Sequence, residues 1–121
     1  MGISVQWMLD GIARKRLAGS GPRFEEVFLL SVNQVIADLN TTCDFTIPDV
    51  TNTSDSINLD TTKYLRAFMH GIPYYMQLFA EWAKDPPEAM KFIYDRAMAI
   101  CQFHAVTDAD EKVGFTPFNE A

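Results

Sequence analysis

The side chains best suited to chemistry are few and widely spaced. The sequence contains two histidines, His70 and His104, and two cysteines, Cys43 and Cys101. A zinc site needs three or four such ligands at short spacings, and neither histidine has a partner at such a spacing. We interpret both histidines as ordinary core or surface residues, and Cys101 as a small buried hydrophobe on the apolar side of a helix. The sequence predicts no metal and no cofactor.

Two further groups of side chains are candidates for a catalytic or ligand-binding role. Four loop acids lack the glycine and glutamate that an EF-hand calcium loop requires: Asp44, Asp49, Asp55 and Asp60. No Ser-His-Asp arrangement, Cys-His pair or phosphate-binding loop can be composed from the remaining residues. We therefore expect a protein that is not an enzyme. A small ligand-binding or enzymatic bundle remains an alternative, and it would use Tyr74, Tyr75, His70 or His104.

The elements that carry these residues are predicted to be helices. Apolar residues recur at steps of three and four between residues 3 and 18, 22 and 40, and 61 and 83, and from the turn at 85–88 to Val106. Asp60 is a good N-cap for the third helix. Pro73 removes the hydrogen bond to the Met69 carbonyl and predicts a kink there. In the last helix, the residues assigned to the packing surface are Met90, Ile93, Ala97, Ile100, Cys101 and His104.

The expected fold is therefore all-α, a single domain over residues 1–121. It comprises an N-terminal helix within 1–20, a core bundle over 22–106 and an extended C-terminal arm over 107–121, giving about four helices in all. A long polar loop covers 41–59, with a possible extended stretch at Phe45–Ile47. The loop is either a solvated excursion or a contact loop, since loops of this length are often functional.

The C-terminal arm carries two aromatic residues, Phe115 and Phe118, in an otherwise polar segment. The sequence is compatible with three interpretations: the arm folds back on its own bundle, docks on a partner, or is disordered. Phe115, Phe118, Phe45 and Ile47 are the predicted partner-contact residues.

Charge and the N-terminal sequence limit the possible partners. The formal net charge is -6, and residues 41–60 contain four Asp and no basic residue. Such a balance argues against ordinary binding to duplex DNA, which requires clustered Lys and Arg. It suits a surface past which nucleic acid slides without sticking. No signal peptide or membrane span is evident, so we expect the chain to be made in a cytoplasm.

The sequence resembles a known family over about 80 residues. The matching stretches are the long helix Phe24-Glu25-Glu26-Val27-Phe28-Leu29-Leu30-Ser31-Val32-Asn33-Gln34-Val35-Ile36-Ala37-Asp38-Leu39-Asn40, the helix from Leu65 to Trp82 and the helix from Tyr94 to Val106. In this pattern the chain resembles the head–tail connector adaptors of tailed bacteriophages. These are small helical proteins that form a ring beneath the portal.

The resemblance implies a structural role in the phage neck. The chain would assemble with copies of itself into a ring of about twelve subunits, packed heterologously. The ring would join the portal protein to a downstream neck or tail protein, and DNA would pass through its lumen. The arm would contact the portal through Phe115 and Phe118, and the protein would reside in the virion. The alternative is a small helical regulatory module that binds one partner in a groove beside Gly71–Pro73, without ring assembly.

Overall fold

Four helices, with a small two-stranded sheet at the N-terminus, build the fold. The computed structural model describes the backbone of residues 2–17, 19, 21–80 and 87–112, with side chains through Asp108. The expected all-α bundle of about four helices is confirmed. In chain order the elements are β1 (Ile3–Ser4), α1 (a continuous helix of segments Val5–Met8, Leu9–Arg14 and Lys15–Leu17), α2 (Pro22–Cys43), β2 (Ser56–Ile57), α3 (Thr61–Ala80) and α4 (Pro87–Lys112).

The N-terminal segment differs from the single helix expected from residue 3. Ile3 and Ser4 form β1, which pairs antiparallel with β2 so that Ile3 lies opposite Ile57. Ser4 then caps α1, because its Oγ accepts a hydrogen bond of 3.2 Å from the Trp7 amide. The middle of α1, Leu9–Arg14, is π-helical. Its inner face is nonetheless fully part of the core, with Val5, Met8, Leu9, Ile12 and Ala13 buried.

Helix α3 packs against the other two long helices, α2 and α4. Gly71 lies where the three meet. A Cβ atom at Gly71 would lie 2.6 Å from Tyr94 Cε1 and 2.6 Å from Val35 Cγ2. Glycine is therefore required by the close approach of the three helices. Gly71, Ile72 and Pro73 are all buried, so no groove is open at their side chains.

Helix α3 continues through Pro73. As expected, the proline leaves the Met69 carbonyl without its helical donor. The guanidinium of Arg16, at the end of α1, donates to that carbonyl at 3.1 Å. The hydrogen bond lost inside α3 is thus replaced by one from another helix, and it fixes the end of α1 to the middle of α3.

The loop and arm begin later than the sequence predicts. Helix α2 extends past residue 40 to Cys43 and ends at Asp44, which adopts a left-handed conformation with φ 59°. The sheet strand of the loop lies at Ser56–Ile57, rather than at Phe45–Ile47. Asp60 caps α3 as expected, since its Oδ1 accepts from the Thr62 amide at 2.8 Å.

The boundary between α4 and the arm was also placed too early. Helix α4 continues past Val106 to Lys112, so residues 107–112 of the expected arm are helical. The end predicted for α3 at residue 83 and the aromatic residues Phe115 and Phe118 lie outside the described residues.

Candidate functional site

Helix α4 is apolar on two opposite sides. Its inner side packs on the core through Met90, Tyr94, Ala97, Met98, Cys101 and Ala105. Its outer side exposes five large apolar residues, which we call the outer face: Phe92 (63% exposed), Ile93 (47%), Ile100 (39%), Phe103 (68%) and Val106 (57%). Spacings of three, seven and eleven residues place them on one side of the helix. A stripe of this kind is typical of a surface that packs against another molecule.

The outer face corrects one part of the sequence interpretation. Ile93 and Ile100 were assigned to the same packing surface as Met90, Ala97 and Cys101. In the structure the latter three are buried, whereas Ile93 and Ile100 point outward. The sequence predicts one apolar stripe, whereas the helix has two. Steps of three and four residues connect members of both stripes, so the spacing alone does not separate them.

A groove with basic side chains runs beside the outer face. Arg66 and His70 of α3 line it, together with Phe92, Ile93, Arg96, Ala97 and Ile100 of α4, and its volume is about 200 Å³. We call it the basic groove. The Arg96 guanidinium lies over the Phe92 ring, 6.0 Å from its centroid. The described residues that line it include no carboxylate.

Two buried polar features distinguish the basic groove from an ordinary surface depression. Arg66 Nε is buried and has no hydrogen-bond partner among the described residues. Burial, followed by the charges of Arg16 and Arg66, lowers the pKa of His70 below its ordinary 6.5. The positive charge of the groove at neutral pH therefore comes from its arginines, and an acidic ligand would complement it.

Two asparagines of α2 hold the loop that follows the helix. Asn40 Nδ2 donates to the Ile47 carbonyl at 3.0 Å, and Asn40 Oδ1 accepts from the Ile47 amide at 2.9 Å. Asn33 binds Val50 in the same way, at 3.0 and 2.8 Å. The two side chains take the place of a neighbouring strand, and residues 44–50 run back along α2. We call residues 44–50 the clamped loop.

The clamped loop contains two of the predicted partner-contact residues. Phe45 and Ile47 are half-buried and pack against the core. The Phe45 ring meets Tyr64 edge-on, with centroids 5.3 Å apart. Both residues also line an open cleft of about 760 Å³ that reaches Leu59 and Asp108. They contribute to the chain's own packing while remaining accessible, and their role as partner contacts stays a prediction.

Tyr75, one of the two candidate catalytic tyrosines, forms a hydrogen-bonded network with Asp38 and Tyr94. The hydroxyls of Tyr75 and Tyr94 both donate to Asp38 Oδ2, the latter at 2.7 Å. Tyr74 stacks on Tyr94. Burial, followed by the hydrogen bond to Asp38, raises the pKa of Tyr94 and of Tyr75 well above the ordinary value. Both hydroxyls stay protonated at neutral pH, and they tie α2, α3 and α4 together.

The other chemically reactive side chains do not converge on a site. His104 contacts the rings of Tyr64 and Phe103, whereas His70 lies in the basic groove. Burial raises the pKa of Cys101 to about 11, which disfavours the reactive thiolate. Among the described residues, no group of three or more His, Cys, Asp or Glu is placed to hold a metal ion.

No family model, curated protein or solved structure matches the chain. Among the described helices, none is long and apolar enough to cross a membrane.

The sequence did not predict two features of the structure, the asparagine-held loop and the basic groove. The pair Asn33 and Asn40 is separated by seven residues, or about two helical turns, which places both on one side of α2. This spacing is visible in the sequence, but the loop residues that they bind are not. The basic groove combines residues from two helices, and the periodicity of one helix does not reveal it.

Proposed function

We propose that this protein is a structural subunit of the neck of a tailed bacteriophage. It assembles with copies of itself into a ring below the portal, joins the portal to a downstream neck or tail protein, and lets DNA pass. The observation that carries the proposal is the outer face of α4, because a monomer of this size rarely leaves so much apolar surface on one helix exposed. The resemblance to connector adaptors supplies the identity of the assembly.

Charge supports the same proposal. The net charge of -6 disfavours tight binding of DNA, as a channel wall requires. The arm, residues 113–121, carries Phe115 and Phe118, and in this proposal it contacts the portal. The proposed location is accordingly the virion.

The test compares the assembly of the wild-type protein with that of outer-face variants. Phe92→Ser with Phe103→Ser removes two exposed rings without touching the core. The matched control is Lys91→Ser with Gln102→Ser, two exposed residues on another side of α4. Circular dichroism melting would verify that both double variants fold. Complexes purified from infected cells through a tag on this chain would be imaged by negative-stain electron microscopy.

The expected result is a ring of about twelve copies stacked on a portal for the wild-type protein and the control. The outer-face variant should give no ring. A one-to-one complex with a single partner, and no ring, would instead support a regulatory interaction module. Rings that persist unchanged in the folded outer-face variant would show that this surface is not the assembly interface.

A further inference from the structure

The basic groove lacks an acidic partner within the described chain. Its apolar walls are Phe92, Ile93 and Ile100, and its charges come from Arg66 and Arg96. The buried, unpartnered Nε of Arg66 lies in the same groove. An occupant that supplies carboxylates and a small apolar surface would satisfy both features.

The clamped loop of this chain has that chemistry. Asp44, Thr46, Pro48 and Asp49 are exposed on it. The carboxylates of Asp44 and Asp49 form no ion pair or hydrogen bond within the described part of the chain. The other two loop acids are already engaged: Asp55 accepts from the Thr51 amide at 2.8 Å, and Asp60 caps α3.

The loop is also ordered before any partner arrives. Asn33 and Asn40 fix its backbone at Val50 and Ile47 through four hydrogen bonds. Because the loop is already ordered, docking it costs little additional conformational entropy.

The loop and the groove lie on opposite sides of α3. The cleft beside the loop is lined by Tyr64, whereas the groove is lined by Arg66 and His70. At 3.6 residues per turn, Arg66 and His70 are rotated about 200° and 240° from Tyr64 around the helix axis. A loop clamped to α2 therefore does not fill the groove of its own chain.

We infer that the basic groove receives the clamped loop of a second copy of this chain, with Asp49 placed against Arg96. This rests on the proposed function and specifies the contact that builds the assembly. Two different surfaces meet in such a contact, so it is heterologous and each subunit keeps a free loop and a free groove. Repetition of a heterologous contact closes into a ring when the rotation permits.

A charge swap tests the inference directly. Arg96→Glu reverses the groove, and Asp49→Lys reverses the loop; both residues are exposed, so the fold should be kept. Lys91→Glu is the matched control for Arg96→Glu, since it lies on the same helix, changes the net charge by the same amount and loses only an exposed ion pair with Asp95. Self-association would be measured on the purified proteins by sedimentation velocity over a concentration series, at low and high salt.

Each reversed variant alone should associate at least about tenfold more weakly than the wild type, because like charges then meet. An equimolar mixture of the two variants should associate again. In the mixture Asp49 of one variant meets Arg96 of the other, and Lys at position 49 meets Glu at position 96. The chain carrying both substitutions should associate alone, and Lys91→Glu should resemble the wild type.

Several results would overturn the inference. If the wild type forms rings but the reversed variants associate equally well, or if the mixture shows no recovery, the contact is wrong while the proposed function stands. If deletion of residues 113–121 abolishes association and Asp49→Lys does not affect it, the arm is the occupant of the groove. A wild-type protein that is monomeric at every concentration would also refute a self-contact. Failure of the proposed function is seen separately, in the complexes purified from cells, as a one-to-one complex with a single partner and no ring.

Discussion

Replacing Asn40 or Asn33 by alanine should release the clamped loop from α2. Each asparagine makes two hydrogen bonds to one loop residue, all between 2.8 and 3.0 Å, and both side chains are half-buried. At about 0.5–1.5 kcal/mol net for each hydrogen bond, either substitution should lower the free energy of unfolding by about 1–3 kcal/mol. The double variant should lose less than the sum, because the loop is already loosened by the first substitution.

Two assays separate this mechanism from a general loss of stability. Urea denaturation followed by circular dichroism gives the free energy of unfolding. Native-state hydrogen exchange reports the amides of Ile47 and Val50, which should lose protection selectively in the corresponding variants. Asn40→Asp keeps the acceptor for the Ile47 amide but loses the donor to its carbonyl. It should therefore retain more protection at Ile47 than Asn40→Ala.

Gln102→Ala, at an exposed position of α4, serves as the control and should change stability by less than about 0.5 kcal/mol. The reasoning would be refuted if Asn40→Ala unfolded with unchanged free energy. It would also be refuted if the Ile47 amide kept its full protection in that variant, since another donor or acceptor would then hold the loop.

Two further predictions concern the core. Gly71→Ala should destabilise the protein by about 1–3 kcal/mol in urea denaturation, because the new methyl group would overlap Tyr94 and Val35. Gly11→Ala is the comparison, since the nearest side-chain atom to the new methyl group is 3.8 Å away. It should be neutral or stabilising by up to about 1 kcal/mol. Equal effects at the two glycines would contradict the packing argument. Tyr94→Phe should cost about 1.5–3 kcal/mol, since it removes a hydrogen bond to the Asp38 carboxylate. Folding raises the pKa of Tyr94, so the folded protein favours the protonated hydroxyl. This contribution to stability is fully present below about pH 10, the ordinary pKa of tyrosine, and declines as the pH rises further. If unfolding of the wild type and of Tyr94→Phe had the same pH dependence above pH 10, the linkage would be refuted.

The sequence predicted the helices well where the signals are local. The Asp60 cap, the break before Pro22 and the missing donor at Pro73 depend on residues within one or two turns. The ends of α2 and α4 were placed too early, because Cys43 and Asp108 are held by the tertiary structure. Asp108, for example, accepts from Lys63 Nζ at 2.7 Å, and this hydrogen bond lowers its pKa.

The candidate surfaces were harder to predict because they depend on contacts between distant residues. The exposure of Ile93 and Ile100 follows from which stripe of α4 faces α3, and the inward stripe includes Tyr94, which lies close to Gly71. The β1–β2 pair joins residues more than fifty positions apart, and two-residue strands carry no periodicity. Phe45 and Ile47 stand out in the sequence as apolar residues in a polar loop, but their contact with Tyr64 and α2 depends on the fold.

The two asparagine clamps have a consequence for how this surface can vary. The backbone path of residues 44–50 is specified by side chains of α2, not by the loop's own outward-facing residues. Thr46 and Asp49 are thus available to change without loss of the asparagine hydrogen bonds, whereas Pro48 restricts the backbone itself. Shape and recognition are encoded in different segments of the chain, so a related sequence could acquire a new partner by substituting loop residues alone, provided that Asn33 and Asn40 are kept.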